Sequence, residues 1–134
     1  MLLDTSGLLC LLHRAEPFHE DAVAAYRNAR TRLTHSYVLA EFVALAQVRG
    51  LPRTTTLAFM SDLLESPDIE TQWVDEPLHR TALALLQERP DKTYSLCDAV
   101  SFMLMRRHDI TEALTTDRHF EQEGFRRLLV QTHH

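Results

Sequence analysis

Five short extended segments, interleaved with helical patterns, constrain this chain more than any other feature. The segments are Met1–Leu3, Arg32–Thr34, Ile69–Val74, Glu112–Thr115 and Arg127–Val130. Between them, proline and glycine fall where helices should begin or end. Pro17 precedes Phe18, Ala22, Ala25, Tyr26 and Ala29, whose three-to-four spacing predicts an amphipathic helix. Ser36 reads as the N-cap of YVLAEFVALAQVR, which stops at Gly50 with Pro52 beyond. Leu57, Met60, Leu63 and Leu64 mark the next helix, closed by Pro67. Pro77 opens another, with Leu78, Ala82, Leu85 and Leu86 on one face and Pro90 after it. The run from Ser95 to Arg107 has almost no polar face before Arg106, so it belongs in the interior. Strands alternating with helices pair in parallel through right-handed crossovers. The expectation is one α/β domain over residues 1–134, a parallel sheet of about five strands with helices on both faces.

Composition supports one globule. In 134 residues, 45% are hydrophobic and 25% charged, too apolar for a disordered tail. With 14 basic and 19 acidic residues the net charge is −5, which argues against a general basic footprint for nucleic acid or anionic membrane. It leaves open a nucleic-acid enzyme that carries its own metal ions, because bound cations reverse the local field. Arginine supplies 13 of the 14 basic residues and Lys92 is the single lysine. Cys10 and Cys97 lie in apolar runs and form no C-x-x-C pair, the pattern of buried, reduced thiols in a cytoplasmic protein. The opening MLLDTSGLLCLLHR lacks a basic n-region, and no run reaches the ~18 apolar residues of a spanning helix. The eight histidines show no zinc-like spacing, and His133 and His134 are left out of the chemistry.

Most carboxylates sit in mixed charged surroundings, as surface residues should. Only Asp4, Glu41 and Asp98 have no other charged residue within four positions on either side. Each interrupts a core-like run: MLL-D-TSGLL, VLA-E-FVAL and SLC-D-AVSF. A carboxylate drawn into an apolar setting must neutralise, pair or bind a cation. Asp117, in ALTTDRHF, follows a strand-like segment and reaches the same carboxyl edge of the sheet. If the first and fourth strands are neighbours, Asp4 and Asp117 face each other. Glu41 lies roughly 7 Å along its helix from Ser36, and Asp98 falls in the first turn of the 95–107 helix. Plainer roles exist: Ser95-x-x-Asp98 fits a capping box, Asp4 and Asp117 fit N-caps, and Glu41 fits an ion pair with an arginine. His119 reads as a solvated helix residue. Four carboxylates converging would repel one another, and hard oxygen donors favour Mg²⁺ or Mn²⁺ over zinc.

The order DTSGLL, a glutamate within an apolar helix, SLCDAVSF and ALTTDRHFEQEGF resembles a PIN domain, most of all the VapC-like ribonuclease toxins of bacterial toxin–antitoxin pairs. The resemblance runs from Asp4 to Leu129 and is most specific from Ser95 to Phe125. It implies Asp4, Glu41, Asp98 and Asp117 as the four acidic residues of the site, with Ser6 lining the same pocket. It further implies an endoribonuclease using Mg²⁺ or Mn²⁺, acting on an RNA substrate, commonly a homodimer and held inactive by an antitoxin protein. This sequence departs from the family in a first strand clipped to three residues before Asp4, and in Cys97, where relatives often carry a hydroxyl.

On these residues metal-assisted hydrolysis of an RNA phosphodiester is the leading expectation. Asp4, Asp98 and Asp117 would hold the metal, and Glu41 would orient water or support the ligands. A receiver-like regulatory α/β module is the alternative from another class, but it would want an acidic pair after the first strand and a late lysine. A metal-dependent phosphatase would suit the same carboxylates. An antitoxin tail with arginine and apolar anchors fits an acidic cleft, since an arginine pairs bidentately with carboxylates.

Overall fold

The computed structural model describes residues 1–131. Its strands are β1 (Leu2–Leu3), β2 (Leu33–His35), β3 (Glu70–Gln72), β4 (Glu112–Leu114) and β5 (Arg126–Arg127). Its helices are α1 (Thr5–Leu12), α2 (His19–Asn28), α3 (Ser36–Val48), α4 (Arg53–Glu65), α5 (Glu76–Glu88), α6 (Leu96–Arg107) and α7 (His119–Gln122). All five strands join one parallel sheet in the order β3-β2-β1-β4-β5. The single α/β domain with helices on both faces is therefore what the alternation predicted.

Alternate residues of each strand feed opposite faces. Leu3 and Leu114 pack with Leu8, Val38, Phe42 and Leu63 from α1, α3 and α4. Leu2, Leu33 and Ala113 pack with Leu78, Leu85, Val100, Phe102 and Phe120 from α5, α6 and α7. Such double burial is why the central strand β1 is wholly apolar, whereas the edge strands β3 and β5 carry only polar residues. The interior helix is α6, with Cys97 to Phe102, Leu104 and Met105 all buried.

β1 sits in the middle of the sheet, paired with β2 on one side and β4 on the other. The Asp4 amide then donates to the Leu114 carbonyl at 3.2 Å, so the chain leaves β1 directly beside the end of β4. Gly7 makes this closeness possible: a Cβ there would stand 2.0 Å from the Leu114 carbonyl oxygen.

Three local expectations are corrected. His35, not Ser36, is the N-cap of α3; its Nδ1 accepts from the Val38 amide at 3.4 Å. Ser36 Oγ accepts instead from the Val74 amide at 2.9 Å, tying α3 to the segment after β3. The last strand pairs at Arg126–Arg127, and three residues of the predicted run, Leu128 to Val130, pass into a looser segment. Gly124, with a φ of 93°, turns the chain out of α7 early enough to start it there. Leu57 and Leu64 face outward from α4, whose buried side is Thr56, Met60 and Leu63. Cys10 and Cys97 are buried and free, as expected. No helix among the described residues is long and apolar enough to cross a membrane. His133 and His134 lie outside the described residues.

Candidate active site

Parallel α/β sheets gather ligands beyond the carboxyl ends of their strands, and the isolated carboxylates meet there. Asp4 follows β1, Asp98 lies in the first turn of α6, and Asp117 follows β4. Asp4 is only 6% exposed and pairs with no arginine, lysine or histidine among the described residues. Burial pushes its carboxyl up to about 7, the Thr115 hydroxyl pulls it back, and the charges of Asp98 and Glu41 push it further. The Cys97 thiol is raised by burial and then by Glu41, Asp4 and Asp98. These mutual influences put Asp4, Glu41 and Asp98 within electrostatic reach of one another.

Thr115, missed in the sequence, organises the β1–β4 side. Its hydroxyl donates to Asp4 Oδ2 at 2.7 Å. With that proton committed, it accepts from the Asp117 amide at 3.0 Å and from Ser6 Oγ at 3.2 Å. Ser6 Oγ in turn accepts from the Thr116 amide at 3.0 Å. Ser6 thus locks the β4 exit onto α1. Asp4 occupies the N-cap position of α1 but makes no side-chain capping bond, so the cap explanation for it fails.

The α6–α7 side is built on Asp98. Its capping box with Ser95 is present: the Asp98 amide donates to Ser95 Oγ and the Ser95 amide to Asp98 Oδ2, each at 3.0 Å. The cap is made by the same carboxyl oxygen that meets His119. Asp98 Oδ2 also meets His119 Nδ1 at 2.8 Å, and the same nitrogen stands 3.4 Å from Asp117 Oδ2. His119 is therefore no solvated helix residue; its ring lies edge-on to Tyr94 and its Nε2 meets Thr93 Oγ1 at 3.1 Å. The spacing that brings it here is the turn Asp117-Arg118-His119, whose His119 amide donates to Asp117 Oδ1 at 2.9 Å. That Asx-like turn was readable in TTDRHF; the pairing with Asp98, 21 residues earlier, was not.

Asp98, Asp117 and His119 offer ligand atoms all within 4.8 Å of one another. Asp4 and Asp98 are each fixed through Oδ2, while Oδ1 meets no side-chain donor among the described residues. Glu41 differs from expectation in being exposed, with no arginine partner among the described residues. It lies on the exposed side of α3, while Val38, Leu39 and Phe42 of the same helix face the core. A cluster of oriented carboxylate oxygens, one of them on a buried Asp4 with no basic partner among the described residues, can hold a cation and polarise water beside it.

The fold and this acidic pocket define an α/β domain of the PIN type, and the PIN-domain family model matches residues 1–125. The chain belongs to the PIN-domain family. Its structure is VapC-like: it is similar to VapC20 of Mycobacterium tuberculosis, described as a sarcin-ricin loop cleaving toxin, with a TM-score of 0.83 and 26% identity. The match covers 92% of this chain and 95% of that one. No curated protein sequence matches the chain.

Proposed function

We propose that this protein is an endoribonuclease dependent on Mg²⁺ or Mn²⁺, the toxin of a toxin–antitoxin pair. Asp4 carries this reading: a buried carboxylate with no cationic partner among the described residues, within electrostatic reach of Glu41 and Asp98. The donor set fits a hard divalent ion, being carboxylate oxygens with one imidazole. A buried hydroxyl without a hydrogen-bond partner, Thr5 Oγ1, follows Asp4 directly and suits a site whose polar complement is incomplete. Asp4, Asp98 and Asp117 would hold the ion. When bound, it lowers the pKa of the attacking water and offsets charge on the transferring phosphoryl group.

The chain's own residues supply the geometry. Thr115 turns Asp4 so that Oδ1 points away from its hydroxyl partner, and the Ser95 amide and His119 do the same for Asp98. Glu41, on the exposed side of α3, accepts a proton from water or aligns it against the phosphorus. His119 is a positioning residue that keeps Asp98 and Asp117 at a fixed separation.

The likeness to the M. tuberculosis toxin supports RNA as substrate; an antitoxin partner, a homodimer and a cytoplasmic setting complete the same reading. The antitoxin's apolar anchors would cover the groove of about 400 Å³ walled by Leu8, Leu11, Val23, Tyr26, Phe59 and Leu63. The test is cleavage of single-stranded RNA by purified protein with and without added Mn²⁺. Cleavage should need the metal, stop with EDTA and vanish in Asp98→Asn. Undiminished cleavage in EDTA, or in that variant, would refute the proposal.

A further inference from the structure

A second cavity, of about 330 Å³, opens at the carboxyl ends of β4 and β5 and is lined by Phe18, Thr116, Arg118, Arg127, Leu129 and Gln131. Its volume is on the scale of one nucleotide, at the lower end of small-ligand pockets. Thr116 and Arg118 flank Asp117 in the chain, so the cavity adjoins the acidic cluster. Its charge is of the opposite sign. Arg118 is exposed and meets no carboxylate among the described residues. Arg127 is held in place, Nε–H donating to Glu121 and Nη1–H to the Thr116 carbonyl, the latter at 3.0 Å. Of its five donors three remain unengaged among the described residues. Phe18, partly buried, gives the cavity an aromatic wall.

A polyanion entering a cluster of carboxylates needs a cationic contact beside it, and a metal at the cluster cannot also neutralise the neighbouring phosphate. We infer that this cavity is the subsite for the nucleotide flanking the scissile bond. Arg118 takes the flanking phosphate, the unengaged Arg127 donors take phosphate or base edge, and Phe18 takes the base face. The inference rests on the ribonuclease reading and deepens it: it names single-stranded RNA, whose unpaired bases can enter a pocket, as the substrate form.

The experiment separates the two. With Mn²⁺-loaded protein and a short single-stranded oligoribonucleotide, Arg118→Ala should raise KM roughly tenfold with kcat within about twofold, and Arg118→Lys should restore part of the loss. In the Asp98→Asn background, Arg118→Ala should weaken RNA binding similarly and flatten its salt dependence by ~0.7 in log–log slope. Phe18→Leu, which keeps an apolar side chain at this half-buried position but removes the ring, should raise KM for the oligoribonucleotide while lowering the melting temperature only slightly. If wild type cleaves but Arg118→Ala shows unchanged KM and salt slope, the subsite is refuted and the ribonuclease stands. If the variant loses only inhibition by a co-expressed antitoxin, the cavity belongs to that partner and the inference falls. If wild type neither cleaves nor binds RNA, both fall.

Discussion

The central strand β1 and its neighbour β2 run in parallel, and each delivers a buried titratable residue to the same edge of the sheet: Asp4 and His35. Their surroundings differ in one respect. His35 is fully buried and satisfied at both ring nitrogens, Nδ1 accepting from the Val38 amide and Nε2 meeting Ser101 Oγ at 2.8 Å. Burial pushes it down to about 3, so it is a neutral structural bridge between β2, α3 and α6 at any ordinary pH. Asp4 is almost as buried yet has one hydroxyl partner and two carboxylates for company. A buried polar group that is fully paired finishes a core; one left short of a counter-charge is held ready for something else. On this contrast the edge divides into a finished half and an open half.

The sharpest way to break the contrast is Asp4→Asn. RNA cleavage should fall at least about a hundredfold, the scale of losing a metal ligand. The same change should make the metal-free protein more stable at pH 8. A carboxyl whose folded-state pKa is about 7 against an ordinary 3.8 binds more protons folded than unfolded between those values. Stability therefore falls as pH rises from about 4 to 7, by a total of roughly 4 kcal/mol as an upper scale. Asparagine cannot ionise and escapes this loss. Urea melts at pH 8 in EDTA measure it; a variant less stable than wild type there would mean that Asp4 is a structural partner like His35.

His35→Ala should do the opposite. It leaves Ser101 and the Val38 amide without their partner and opens a void at the sheet edge, costing about 3 kcal/mol. Enough folded protein should remain at low temperature to take up Mn²⁺, since none of the candidate ligands bonds to His35. A denaturant midpoint unchanged from wild type would erase the distinction between the two halves.

The pH profile sharpens the comparison. His35 is depressed from 6.5 to about 3, so the unfolded chain binds the extra proton and stability rises with pH through that window. Asp4 works the other way between about 4 and 7. Metal-free wild type should thus show a shallow profile from pH 4 to 6.5 and a decline towards pH 7. Asp4→Asn should show a clear rise up to pH 6.5 and a plateau above. Parallel profiles for the two proteins would overturn the assignment of either group.

Much of this edge was legible in the sequence, for identifiable reasons. Extended segments and helix boundaries follow from periodicity and from Pro and Gly, which act locally. Asp4 and Asp98 stood out because no nearby charge could explain a carboxylate in an apolar run. The same test misjudged the depth of Glu41: a helix flanked by apolar residues still has an outer face, and Ala40 and Glu41 occupy it. His119 and Thr115 were illegible because their partners, Asp98 and Asp4, lie 21 and 111 residues away in the chain. His35 hid as a strand residue, its cap role depending on where β2 ends.

Thr115→Val gives the smallest expected effect and tests the open half most finely. Valine keeps the shape of threonine and removes the hydroxyl that donates to Asp4 and receives Ser6 and the Asp117 amide. If those bonds serve only packing, stability should drop by about 1–2 kcal/mol and Mn²⁺ affinity should stay the same. If Thr115 orients Asp4 towards a cation, affinity should fall about tenfold, the lower end for a lost outer partner of a metal ligand. Losing the donor also removes a force that pulls the Asp4 carboxyl down, so the decline in metal-free stability should extend to higher pH. Mn²⁺ titration by calorimetry at two pH values reads both effects. Thr115→Ser restores the hydroxyl and should recover affinity. A valine variant that binds Mn²⁺ as wild type does would show that Asp4 needs no holding, and that burial alone aims it.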